Sequence, residues 1–180
     1  MKTFLIALLT LAVSAPALSS NEAGASVELK FQEPKKFTDI RAANGTRGKF
    51  TERVQHNFEE FFQDMASELP AGYSWNITVT DIDLAGDVDY FIGGAGNPLR
   101  VVKEIHSPAI TFSHVLLDHE GEEVVSAEEK LRDMGFMQTL RSVNDSDPFR
   151  YEKQMLTDWF QKEIEPIVKD YAKMQSNVSH

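Results

Sequence analysis

Between Asn44-Gly45 and Pro70, apolar residues recur at Phe50, Val54, Phe58, Phe61, Phe62, Met65 and Leu69, in steps of three and four. That spacing collects them on one side of a 3.6-residue helix and gives it a wide apolar stripe. Thr46 is the expected N-cap, since its hydroxyl can accept from an N–H of the first turn. Pro70 closes the helix, because the residue before a proline avoids the helical region.

The segments on either side carry the period of strands instead. Val27, Leu29 and Phe31 alternate with Glu28, Lys30 and Gln32, and Pro34 ends the run. After the helix, Tyr73, Trp75, Ile77 and Val79 form a second alternating set, rich in aromatic and β-branched residues. The phase then slips, since Ile82 and Leu84 occupy even positions, which predicts a bulge or strand end near Thr80-Asp81. Residues 87–98 contain Gly93-Gly94-Ala95-Gly96 and read as a mobile loop. Leu99 to Ile105 is expected to be a strand. Ile110, Phe112, His114 and Leu116 mark the inner face of another, which turns through Asp118-His119-Glu120-Gly121 into an antiparallel partner at Val124 to Leu131. Asp147 as cap and Pro148 at the first helical position open a second helix with Tyr151, Met155, Leu156, Trp159 and Phe160 on its apolar side, and Pro166 is expected to kink or stop it. The expected class is therefore α+β, an antiparallel or mixed sheet of four to five strands with two amphipathic helices packed on one face.

The N-terminus has the order of an export signal. Lys2 precedes an apolar run from Phe4 to Val13, which is followed by the small residues Ser14, Ala15, Ala17 and Ser19. Ten apolar positions are too few for a bilayer span of about 20 residues. Residues 1–19 are thus expected to be a cleaved signal peptide, cut after Ala17 or Ser19, and residues 20–180 a single periplasmic α+β domain with 172–180 frayed. A chain of roughly 160 residues can bury one core, and with no cysteine that core must hold it together without disulfides. Removing the signal takes away one Lys and no acid, so the net charge becomes one unit more negative than the −10 of the whole chain. Such a surface repels nucleic acid and disfavours anionic lipid, and no Lys/Arg cluster offsets it. Nucleic-acid partners and stable membrane insertion after signal cleavage are not expected.

Few residues are arranged for chemistry. Asp81, Asp83, Asp87 and Asp89 lie within nine positions and could offer oxygens to Ca²⁺, but the helix-loop-helix frame and closing Glu of an EF-hand are missing. His106 and His114 would fall roughly 26 Å apart along an unbroken strand, too far to share a metal, and His114 reads as a core residue. No Gly-x-Ser-x-Gly elbow, cysteine nucleophile, phosphate loop or cofactor fingerprint occurs, so no catalytic residue, metal or cofactor is assigned. Of the four Asn-x-Ser/Thr sequons, the one at Asn76 falls inside a predicted strand.

Four blocks, Phe37-Thr38-Asp39-Ile40, Thr80-Asp81-Ile82-Asp83-Leu84-Ala85-Gly86, Arg100-Val101-Val102-Lys103-Glu104-Ile105 and Tyr151-Glu152-Lys153 before Trp159-Phe160, resemble in order the secreted bacterial family of domain-of-unknown-function 3016. The resemblance implies an exported protein of a Gram-negative envelope and imports no reaction. The stretch 87–98 looks longer than is usual for the family, so a family-wide site is expected to exclude it. Asp39, Asp81, Asp83, Arg100, Lys103, Arg150 and Glu152 lie in or beside the blocks and are the candidate binding residues, or else an ion-pair network tying helices to the sheet edge. The expected function is a non-enzymatic binding or interaction domain whose partner is an envelope protein or a small ligand. The alternative is a metal-dependent or carboxylate-based hydrolase centred on Asp81 and Asp83.

Overall fold

The computed structural model describes residues 24–92, 97–139 and 146–178, so residues 1–19, expected to be an export signal, and the Gly-rich tetrad 93–96 lie outside the described residues. β1 (Ser26–Phe31) leads through a short 3₁₀ turn (Pro34–Lys36) to α1 (Arg47–Ala66), which returns the chain to β2 (Ser74–Asp83). This strand-helix-strand crossover lets β1 and β2 pair in parallel. β5 (Ala109–Leu117) and β6 (Glu123–Arg132) add on antiparallel, giving a mixed four-stranded sheet in the order β1-β2-β5-β6.

The predicted phase slip is real: pairing of β2 with β5 shifts between Val79 and Asp81, which is why Trp75, Ile77 and Val79 and then Ile82 and Leu84 all face inward. Thr46 caps α1, its hydroxyl accepting from the Lys49 N–H at 3.5 Å. The helix buries Val54, Phe58, Phe62 and Met65. Phe62 meets Trp75 edge-on at 5.8 Å, while Trp159 stacks on the same indole at 6.2 Å and 17°. Both long helical segments therefore cover one face of the sheet. The opposite face carries Asn76, Thr80, Ser113, Glu128 and Lys130, all exposed.

Within this core His114 packs as an aromatic ring with one nitrogen hydrogen-bonded and the other, Nε2, buried without a hydrogen-bond partner among the described residues. Its Nδ1 accepts from the Trp75 indole N–H at 3.3 Å, and its ring sits edge-on to Trp159 at 5.3 Å. Burial disfavours the imidazolium and lowers its pKa to about 4, so the ring is neutral.

Three expectations need correction. Asp87–Asp89, read as loop, is strand β3, paired antiparallel with β4 (Leu99–Val101) in a separate two-stranded sheet. The strand expected over 99–105 stops at Val101, because His106 N–H turns back onto the Lys103 carbonyl at 3.0 Å and Gly86 N–H captures the His106 carbonyl at 2.9 Å. The second long helix starts at Arg150 (α3, Arg150–Trp159), after the four-residue α2 (Phe136–Thr139), and not at Pro148. Asp147 caps the preceding turn instead, accepting from the Phe149 N–H at 2.8 Å.

Pro166 does not stop the helix. Residues 160–164 widen into a π-turn, with Glu165 N–H reaching the Phe160 carbonyl, and the chain continues as α4 (Glu165–Val178). A π-turn relieves the clash between a proline ring and the carbonyl four residues earlier. α4 runs through the end expected to fray from residue 172, and the side chains of residues 172–177 are exposed.

Candidate functional site

Beyond the 3₁₀ turn, residues 38–40 resume the parallel pairing that β1 began. Asp39 N–H donates to the Ile82 carbonyl at 3.1 Å and Leu84 N–H to the Asp39 carbonyl at 3.1 Å. This pairing holds the Asp39 side chain in a buried position beside the β2–β3 turn. Arg100, in the middle of β4, reaches it with both terminal nitrogens: Nη1 to Oδ2 at 3.1 Å and Nη2 to Oδ1 at 3.2 Å. Nη1 also donates to the carbonyls of Leu84, Ala85 and Gly86 at 3.5, 3.3 and 3.0 Å, and Nη2 to the Arg41 carbonyl at 3.1 Å.

Burial opposes ionisation of Asp39, but hydrogen bonds from Arg100 and Arg41 outweigh it and hold the carboxyl below its usual range. Arg41 extends the chain of charges, with Nε on Asp39 at 3.0 Å and Nη2 on Asp87 at 2.6 Å. Gly86 completes the turn at φ +78°, and a Cβ there would stand 2.5 Å from the Val101 carbonyl oxygen.

Glu152 approaches the same turn from α3. Its Oε1 accepts from the Ala85 N–H at 2.6 Å, while Oε2 is buried and has no hydrogen-bond partner among the described residues. Burial raises its pKa to about 7, against the pull of the Ala85 N–H and the Arg100 charge.

Of the seven sequence candidates, then, Asp39, Arg100 and Glu152 converge on residues 84–86. Asp81 and Asp83 lie to the side with partners of their own. Asp81 accepts from the Thr38 N–H at 2.6 Å and hydroxyl at 2.7 Å, and Asp83 from Arg132 Nη2 at 3.1 Å. Lys103 stands exposed on the loop after β4, where its charge is felt by Asp89. Arg150 packs over the Tyr151 ring at 4.8 Å, away from the turn.

Three of the residues that pair with these side chains, Arg41, Asp87 and Arg132, were not among the seven candidates, Asp87 having been read only in the acidic run 81–89. Arg41 carries no pattern beyond its place two residues after Asp39. Arg132 was findable, because the register sets Asp83 opposite Ala109 and Ala109 opposite Arg132, one cross-strand row. Among the described residues no three His, Asp or Glu side chains form a metal-holding group, and no helix is long and apolar enough to cross a membrane.

Chemically, the arrangement is a clamp. It fixes the base of the β3–β4 hairpin, whose tip exposes Tyr90 (54%), Phe91 (90%) and Ile92 (60%), with Ile105 (81%) on the adjoining loop. Asp89 organises that tip by accepting from the Phe91 and Ile92 N–H groups at 2.8 and 3.1 Å.

A family model described as protein of unknown function DUF3016 matches residues 25–162. No curated protein and no solved structure matches the chain.

Two consequences can be measured. Arg100→Met should lower the unfolding free energy by about 3 kcal/mol, because it takes from buried Asp39 the more buried of its two guanidinium partners and leaves only the half-exposed Arg41. Arg132→Met, which breaks a half-exposed pair, should cost about 1 kcal/mol or less in the same urea titration. Equal losses would refute the special position of Arg100. The second concerns pH. Since the folded pKa of Glu152 lies above its ordinary 4.5, the unfolded chain releases that proton first, and the group's contribution to stability falls as pH rises from about 4.5 to about 7. Glu152→Gln should therefore gain on the parent across that window, by an amount on the order of a few kcal/mol, and run parallel to it above. A stability difference independent of pH would show that Glu152 titrates normally.

Proposed function

The chain belongs to the DUF3016 family, and on that footing we propose that it is an exported, periplasmic binding domain that docks an envelope protein through the tip of its β3–β4 hairpin. The observation that carries this reading is the pairing of a charge-clamped base with an apolar tip. Contiguous exposed apolar side chains on a folded surface mark interaction sites, and here the residues bearing them are held by the Arg100–Asp39–Arg41–Asp87 chain of ion pairs. Chain-wide charge favours a protein over a bilayer as the occupant, because an acidic surface is repelled by anionic lipid. The tip lies in the stretch 87–98, which a family-wide site is expected to exclude, so on this proposal the partner is particular to this chain.

The hydrolase alternative centred on Asp81 and Asp83 draws less support. Both carboxylates accept hydrogen bonds from protein donors, Asp81 on both oxygens from Thr38 and Asp83 on one from Arg132.

Export is tested by mass spectrometry of the protein from periplasmic extract, where the mature N-terminus should be Ser20 or Leu18. An intact Met1, or recovery from cytosol, would remove the periplasmic half of the reading. Docking is tested with a photoreactive phenylalanine analogue at position 91 in the exporting host. A discrete protein adduct is expected from position 91, none from the same analogue at Glu28 on the far strand, and competition by excess unlabelled protein but not by its Phe91→Ser/Ile92→Ser/Ile105→Ser variant. An adduct suppressed equally by both competitors would show that binding occurs elsewhere, and transfer of the label to lipid alone would show that the partner is the bilayer.

A further inference from the structure

We propose that the cleft between the N-terminal turns of α1 and α3 is a binding site for a small apolar monoanion, a carboxylate of roughly ten heavy atoms or fewer. The cleft has a volume of about 260 Å³. It is walled by Phe50, Leu84, Pro148 and Phe149, and Arg53 and Arg100 border it. At about 30 Å³ per water in the liquid, this space equals roughly nine waters, which sets the size of the occupant.

Its apolar character comes from the core's own edge. Phe149 is buried against Phe58 at 5.9 Å between ring centres and lies 6.4 Å from Phe50, so the two rings that face the opening are fixed from behind. Such walls select an apolar body, and the polar groups at the rim select the charge.

Every charged group at the rim has a partner or a sign that favours an anion. Arg100 is committed to Asp39 and to four backbone carbonyls, so it contributes positive potential without a free donor pair. Arg53 differs: its guanidinium lies 4.9 Å over the Phe50 ring and meets no carboxylate among the described residues. An arginine without an acidic partner is notable in a chain with 28 acids and 18 bases. Stacked on Phe50, it presents its N–H edge where a carboxylate could take two parallel hydrogen bonds.

The backbone adds to the same sign. α1 begins at Arg47 with no acid in its first turn, and α3 begins just past Phe149, so the positive ends of two helix dipoles border one opening. Of the acids nearby, Asp147 holds Lys153 at 2.7 Å, and Glu152, in the first turn of α3, gives one oxygen to the Ala85 N–H while burial disfavours its charge. No residue of the cleft belongs to the exposed hairpin tip, so the assignment stands apart from the docking reading above.

Titration of ¹⁵N-labelled protein with sodium benzoate, benzyl alcohol and sodium acetate tests it. Benzoate should move the amides of Phe50, Arg53 and Phe149 in a saturable way, and the neutral and the body-less probes should each bind at least about fivefold more weakly, the worth of one partly exposed ion pair. Arg53→Gln, at an exposed position that leaves the core intact, should weaken benzoate by a similar factor and leave benzyl alcohol unchanged. Absence of saturation at these amides, shifts confined to Phe91 and Ile92, or benzoate binding undiminished in Arg53→Gln would each overturn the assignment.

Discussion

A guanidinium has five N–H donors in a rigid fork, and at Arg100 its two terminal nitrogens serve a carboxylate and four backbone carbonyls at once. The β2–β3 turn they bind could not be closed by apolar packing. Three successive carbonyls point the same way, and Gly86 is at φ +78° with the Val101 backbone where a side chain would be. Without a multidentate donor those carbonyls would be left short of partners in a part-buried site, at a cost of about 1–3 kcal/mol each. The small hairpin therefore depends on a charge, and the charge depends on Asp39 being carried into place by the resumed pairing with β2.

Buried ion pairs are weak sources of net stability, since desolvation consumes most of the Coulombic gain, but they fix position well. Stability here comes from the other layer. Phe62, Trp75, Phe112, Trp159 and Phe160 form a continuous aromatic cluster between sheet and helices, with ring centres 5.0–6.2 Å apart. His114 fits into it only as the neutral ring, and burial raises the carboxyl of Glu152, on α3, to about 7. The two groups bias stability in opposite directions: charging His114 as pH falls from about 6.5 to about 4 opposes folding, and charging Glu152 as pH rises to about 7 also opposes it. Between those limits their slopes partly cancel, so a core that contains two titratable groups is less sensitive to pH than either group alone would make it.

The parts of this architecture that rest on periodicity were legible in the sequence. The stripe of α1, the strands β1, β2, β5 and β6, the turn at Asp118 to Gly121 and even the bulge before Asp81 follow from which residues must face inward, and burial enforces those choices. The β3–β4 pair was not legible, because three-residue strands show no period and their pairing depends on Arg100 rather than on a buried face. Pro166 misled for a related reason. A local rule about prolines assumes an α-helical backbone, and the burial of Phe160 and Ile164 holds the helix together through a π-turn instead. The candidate site was legible only as a set of charges. That Asp39, Arg100 and Glu152 meet while Lys103 and Arg150 stand apart depends on the turn at 84–86, whose geometry no spacing in the chain reveals.

The same turn bears on what kind of activity the network can support. Acid–base catalysis requires a carboxyl oxygen that is both free of protein donors and reachable by a substrate. Glu152 has the free oxygen but is buried, with 1% of its surface exposed, whereas Asp83 reaches solvent but gives its oxygen to Arg132. Asp39 has neither, and Asp81 has both oxygens occupied by Thr38. Freeing Asp39 for a substrate would break the clamp and release the hairpin. Binding needs no such step: an anion that approaches Arg53 meets a guanidinium stacked on Phe50, and a partner that covers Phe91 and Ile92 meets side chains already exposed.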